Sequence, residues 1–220
     1  MNNTSNKNLI KIISFFGLIG LIFYFLHVIT GEIFYPNYDP LAQAISDLTA
    51  LNSPSRNISS LFSILYGIFT VIFSIGFFTY FKGKINRIVT SASFVFAIMT
   101  IISFLGYTFF PLSESGYAGS FQDQMHILVT VFVVIFTIAT LILFFVGFFK
   151  TKEYKYFGII SLVILILLFV GAMLMNILPN EYLGIAERIN VYSIVIFTGL
   201  LSLWMYKHLK KIEGMALSLT

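Results

Sequence analysis

Six stretches of the chain are apolar almost without interruption, at residues 9–30, 58–81, 88–110, 125–149, 157–178 and 189–209. Crossing about 30 Å of hydrocarbon takes about 20 residues of α-helix, so each stretch predicts one transmembrane helix. Each exceeds the apolar core of a signal peptide, which runs about 7–15 residues. Thr30-Gly31-Glu32-Ile33 is also a poor cleavage site, so the first stretch is expected to be retained. The pattern therefore predicts an all-α fold, a polytopic transmembrane bundle of six helices forming a single domain over 1–220.

Polar positions gather between the spans. In the first long connection, Asp39 suits a helix N-cap and Pro40 a first helical residue. Leu41, Ala44, Ile45, Leu48 and Leu51 then recur at helical spacing on one face, with Gln43, Ser46, Asp47 and Ala50 on the other. This predicts a short amphipathic helix lying across the mouth of the bundle, ended by Asn52-Ser53-Pro54. The three long connections each begin with a proline just past a helix end, at Pro36, Pro111 and Pro179, where it acts as an ordinary helix stop.

Composition agrees with lipid as the solvent. Hydrophobic residues make up 58% of the chain and charged residues only 10%, against roughly 25% charged in a soluble domain. There is no cysteine, which excludes disulfides, thiolate metal ligands and a thiol nucleophile. A net charge of +4 taken alone would suit a nucleic-acid partner, but the basic residues are segregated. Lysines and arginines cluster at the N-terminus, in the second and fourth connections and in the C-terminal tail, and only Arg56 and Arg188 fall on the other side. By the positive-inside rule, both termini are expected in the cytoplasm of a multi-pass plasma-membrane protein. The basic residues are then a topology signal, and no nucleic-acid partner is expected.

No Asp, Glu, Lys or Arg lies near the middle of a span. Such a charge is costly and marks ion paths and proton relays, so its absence weighs against an ion-driven pump. Mid-depth Gly67, Ser93 and Gly171 read as helix-packing residues. Chemistry can therefore sit only at the outer mouth, where His27, Asp47, Asp123, His126, Asn176, Glu187 and Arg188 share a depth. Asp123 and His126 are three apart on one helix and can meet. A carboxylate so placed would orient the imidazole for catalysis. The plainer account of Asp123 is a capping box with Ser120; of His126, a satisfied interfacial histidine; of His27, a ring bonded to a loop carbonyl. Asp47 has a solvated helix face as its alternative. Glu187 and Arg188 read as a local pair or an anion clamp, with snorkelling as the bland account of Arg188.

Certain of these residues also carry a resemblance. Tyr38-Asp39-Pro40 through Ala44-Ile45-Ser46-Asp47-Leu48, Phe110-Pro111 before a span led by His126, and Gly184-Ile185-Ala186-Glu187-Arg188-Ile189 together resemble the signature of the domain-of-unknown-function family 998. The Ile-Ser-Asp run and the proline after the first span are also remotely similar to the DRAM and Frag group of six-span eukaryotic proteins. The first resemblance implies a six-helix prokaryotic membrane protein and supplies no reaction.

The leading expectation is a protein that handles a membrane lipid or other amphiphile in an outer polar pocket lined by His27, Asp47, His126, Glu187 and Arg188, with Ser46 and Asn176 as further ligand-binding groups. In an enzymatic version His27, Asp47 and His126 would hold a divalent metal such as zinc or serve as general base, with Asp123 behind His126. The metal spacing is weak, since no His-x-x-x-His pattern occurs. The alternatives are an accessory subunit whose outer loops dock another membrane protein, and a small-molecule permease.

Overall fold

In the computed structural model, which describes residues 2–217, the chain forms seven α-helices. They are α1 (Asn2–Ile13), α2 (Phe16–Phe34), α3 (Arg56–Phe81), α4 (Arg87–Phe109), α5 (Phe121–Phe149), α6 (Lys155–Ile177) and α7 (Leu183–Leu217). Six helical segments are long and apolar enough to cross a membrane, the first of them Lys7–Phe34, which contains the end of α1 and all of α2. Large apolar side chains such as Ile127, Ile135, Ile166 and Phe169 face out of the bundle. An apolar belt of this extent requires hydrocarbon around it. The chain is a multi-pass membrane protein.

The break between α1 and α2 has an identifiable cause. A side chain from another helix inserts into the helical hydrogen-bond ladder: the Ser202 hydroxyl of α7 donates to the carbonyl of Ser14 and accepts the Leu18 N–H at 3.1 Å. Elsewhere, sequence-local devices set the helix ends. Gly83 takes a positive φ of 75° in the turn after α3. The Asn86 side chain accepts the Val89 N–H to cap α4, and its amide donates to the Gly147 carbonyl of α5.

Helices consecutive in the chain are neighbours in the bundle. Each helix from α2 to α7 packs on the next, and α7 closes the ring on α2. Close approach of α3 to α4 depends on Gly67, since a Cβ there would collide with the Phe104 ring.

The core is lopsided. At the lysine-bearing end, Phe73, Phe77, Phe81, Phe144, Phe148, Phe157 and Trp204 interlock, with Trp204 ring centroids 5.0 Å from both Phe81 and Phe148. Aromatic rings bury about 150–250 Å² each, so this half carries most of the apolar packing. The opposite half holds a smaller cluster of Tyr24, Val28, Ile45, Leu48 and Val195. Two of those five come from the first long connection, which folds over the ring as a cap.

That cap is not the expected helix over 39–51. Only Ile45–Thr49 is helical, as a 3-10 turn, preceded by a tight turn in which Gln43 N–H donates to the Asp39 carbonyl. Ile45 and Leu48 are buried as the apolar face requires, but Leu41 and Leu51 point outward. The reason is competition for backbone groups. The Gln43 and Ala44 carbonyls accept from Tyr38 and Arg188, and the Ile45 N–H is taken by Glu187. An α-helix there would need those same groups for itself.

Candidate functional site

The polar residues at the end opposite the lysines form three separate hydrogen-bonded groups. The first joins the cap to α7. Glu187 and Arg188 are consecutive on α7, so they point in different directions. Glu187 turns under the cap and accepts the Ile45 N–H at 2.7 Å. Arg188 turns toward α2. Its guanidinium donates to the carbonyls of Gln43 (3.0 Å) and Gly184 (3.1 Å), to Glu32 Oε1 (2.9 Å) and to the Tyr38 hydroxyl (2.9 Å). Five rigid N–H donors let one arginine gather such a set. The start of α7 comes this close because residue 184 is glycine. A Cβ there would lie 2.6 Å from the carbonyl oxygens of Pro40 and Gln43.

Asp47 joins the cap to the second long connection. It is 3% exposed, and its carboxylate accepts the N–H of Ala44 (3.2 Å) and of Gly116 (3.0 Å). Burial pushes this carboxyl above its ordinary value, while the two N–H groups and the nearby His126 pull it down. Two further bonds tie the same connections: Leu51 N–H to the Leu112 carbonyl at 2.8 Å, and the Tyr35 hydroxyl to Ser115 at 2.9 Å.

His27 belongs to the second group. Its Nδ1 lies 2.8 Å from the Ser59 hydroxyl and 3.0 Å from the Ser59 carbonyl on α3, and its ring packs edge-on to Tyr24. The third group sits at the start of α5. Asp123 accepts from the N–H and hydroxyl of Ser113 and from the N–H of Ser120, completing the capping box. His126 Nδ1 instead faces the Phe110 carbonyl at 2.8 Å, and its ring lies against Tyr107. Asp123 is thus occupied as a cap, and orientation of the His126 ring comes from backbone.

His27 and His126 therefore serve different partners on different helices. Among the described residues, no three His, Cys, Asp or Glu side chains gather in a group that could hold a metal ion, His27, Asp47 and His126 included. Asp47 and His126 remain within electrostatic range of each other. Asn176 is apart from all of this, exposed near the end of α6 with its amide on the Ala172 carbonyl. Ser46 is half-buried, and its carbonyl accepts from Thr49. Glu32, Ser59, Ser113 and Tyr38 were not singled out from the sequence as functional residues. Tyr38 and Gly184 lay within the family-like runs, but the pairing of His27 with Ser59 joins two helices and leaves no local trace.

Beside the Arg188 cluster runs a groove of about 440 Å³ between α6 and α7. Pro40 and Leu41 of the cap overhang it, Ile164 and Leu167 of α6 form one wall, and Tyr192 and Ile196 of α7 form the other. Arg188 also borders it. The groove reaches from mid-span, at Ile164, up to the cap. The family model described as Protein of unknown function (DUF998) matches residues 18–204, from α2 through most of α7. No curated protein and no solved structure matches the chain.

Proposed function

The chain belongs to the DUF998 family, and from that premise we propose that it binds a lipid or other amphiphile in the groove between α6 and α7, in the extracytoplasmic half of the membrane. The observation that carries this reading is the groove itself. Its walls are aliphatic and aromatic from Ile164 to Leu41, and Arg188 stands beside the cap. Ligand sites are commonly about 300–1,000 Å³ and mostly apolar, with few polar groups, and a site of 440 Å³ suits one acyl chain with its head near Arg188. The lysine asymmetry supports the orientation, with both termini cytoplasmic and the cap outside.

Binding is favoured over hydrolysis. Asp47, Asp123, Glu187, His27 and His126 each hydrogen-bond the backbone of this chain. A general base must be free to reach a proton on its substrate. The test is to fill the groove: the wild type purified in mild detergent should carry an amphiphile detectable by mass spectrometry, and L167W and I196W should fold with wild-type yield and lose it. Equal amphiphile in both variants and wild type would overturn the reading.

One observation favours a second reading, an accessory subunit that presents its cap to another membrane protein. The cap is fastened at several independent points, which makes it a firm surface. In that case the groove variants change nothing, while a cap-surface change at Leu51, which is exposed and outside the groove, abolishes co-purification of a protein partner.

A further inference from the structure

A second groove, about 360 Å³, lies at the opposite, lysine-bearing end of the bundle. Asn8, Lys11 and Ile12 of α1, Phe15 at the break and Tyr206 of α7 line it. It lies at the break between α1 and α2, where Ser202 of α7 holds the Ser14 carbonyl. The Phe15 and Tyr206 rings meet at 4.3 Å on one side of the cleft.

Its chemistry is divided. Ile12 and Phe15 offer exposed apolar surface, while Asn8 and Lys11 offer an amide and an ammonium. Lys11 bonds Glu213 at 2.9 Å, with both side chains partly exposed. Lys210 stands over the Tyr206 ring at 5.2 Å. Lys11 thus lines the groove and Lys210 stands beside its Tyr206 wall, two lysines against the one glutamate paired there. An exposed ion pair is a weak competitor for a stronger anion.

We infer that this groove binds an anionic phospholipid of the lysine-side leaflet, its phosphodiester between Lys11 and Lys210 and one acyl chain along Ile12 and Phe15. A free inorganic anion makes no use of the apolar wall, and a zwitterionic lipid gains little from the surplus cation. The bound phosphate takes Lys11 from Glu213. This site is separate from the α6–α7 groove and stands or falls without it.

Native mass spectrometry of the full-length protein in detergent, titrated with phosphatidylglycerol and with phosphatidylcholine, tests the inference. Phosphatidylglycerol should be retained preferentially, and K11Q and K210Q should each weaken its retention about fivefold, as expected for one basic residue at an anionic surface. K11R should retain it, E213Q should strengthen it, and inorganic phosphate should not displace it. K150Q, an exposed lysine elsewhere at the same end, should have no effect. Equal retention of the two lipids, unchanged binding in K11Q, displacement by phosphate, or a loss in K150Q equal to that in K11Q would each overturn the assignment.

Discussion

Individual residues at the cap do unequal work, and burial decides the ranking. The Glu187 carboxylate takes the Ile45 N–H beneath the cap. Removing it in E187A strands a buried donor, which costs about 1–3 kcal/mol. Glu32, by contrast, has a third of its side chain exposed in its pair with Arg188, and E32Q should cost less than about 1 kcal/mol. Thermal unfolding in detergent should rank E187A well below E32Q; reversal of that order would remove Glu187 as the main tether. At residue 184 the difficulty is steric. A methyl group among the carbonyls of Pro40, Leu41 and Gln43 has only backbone to push against, so G184A should lose about 1–3 kcal/mol through overpacking. Asp47 adds a pH dependence. Burial raises its folded carboxyl above the ordinary 3.8, so the folded state holds this proton more tightly than the unfolded one. Its stability contribution is present below the unfolded value and lost as pH rises through the folded value, with His126 and Glu187 as the titratable neighbours. The wild type should therefore lose melting temperature relative to D47N as pH rises from 4, and parallel curves would contradict this account.

Helical elements follow local rules where their partners are local and depart from them where partners arrive from afar. The start of α5 is of the first kind. Ser120 and Asp123 are three apart, and their capping box forms as the spacing implies. D123A should then cost about 1–3 kcal/mol by freeing the N–H groups of Ser113 and Ser120, and a serine at the same position should recover part of the loss. The six spans were legible for the same reason, since length and apolarity are properties of contiguous residues. The cap is of the second kind. Its pattern fitted an amphipathic helix, and Ile45 and Leu48 did bury, but Arg188, Glu187 and Tyr38 compete for its backbone. These contacts span sequence separations up to 145 residues, which no periodicity encodes. His27 with Ser59 and Ser14 with Ser202 were hidden likewise. Position along a helix could be read from the sequence; direction around it could not, so the candidate residues separated into distinct groups.

At the scale of the whole molecule, the two ends of the ring solve different problems. The lysine-bearing end is stabilised by interlocked aromatic rings, and dense packing leaves little room for a ligand among them. The other end has a small apolar cluster and makes up the difference with hydrogen bonds through its cap. Beside that less densely packed end, α6 and α7 leave their groove open. Which leaflet would supply the proposed ligand depends on orientation, and orientation rests on the lysines. A reporter active only in the cytosol should give signal when fused after Lys152, in the connection between α5 and α6, and should be silent when fused after Asn52 in the cap. The reverse pattern would turn the bundle over, place the α6–α7 groove in the cytoplasmic leaflet, and leave the lysine-lined groove facing away from the cytosol. Both grooves border α7, so its direction across the membrane fixes the lipid chemistry open to each.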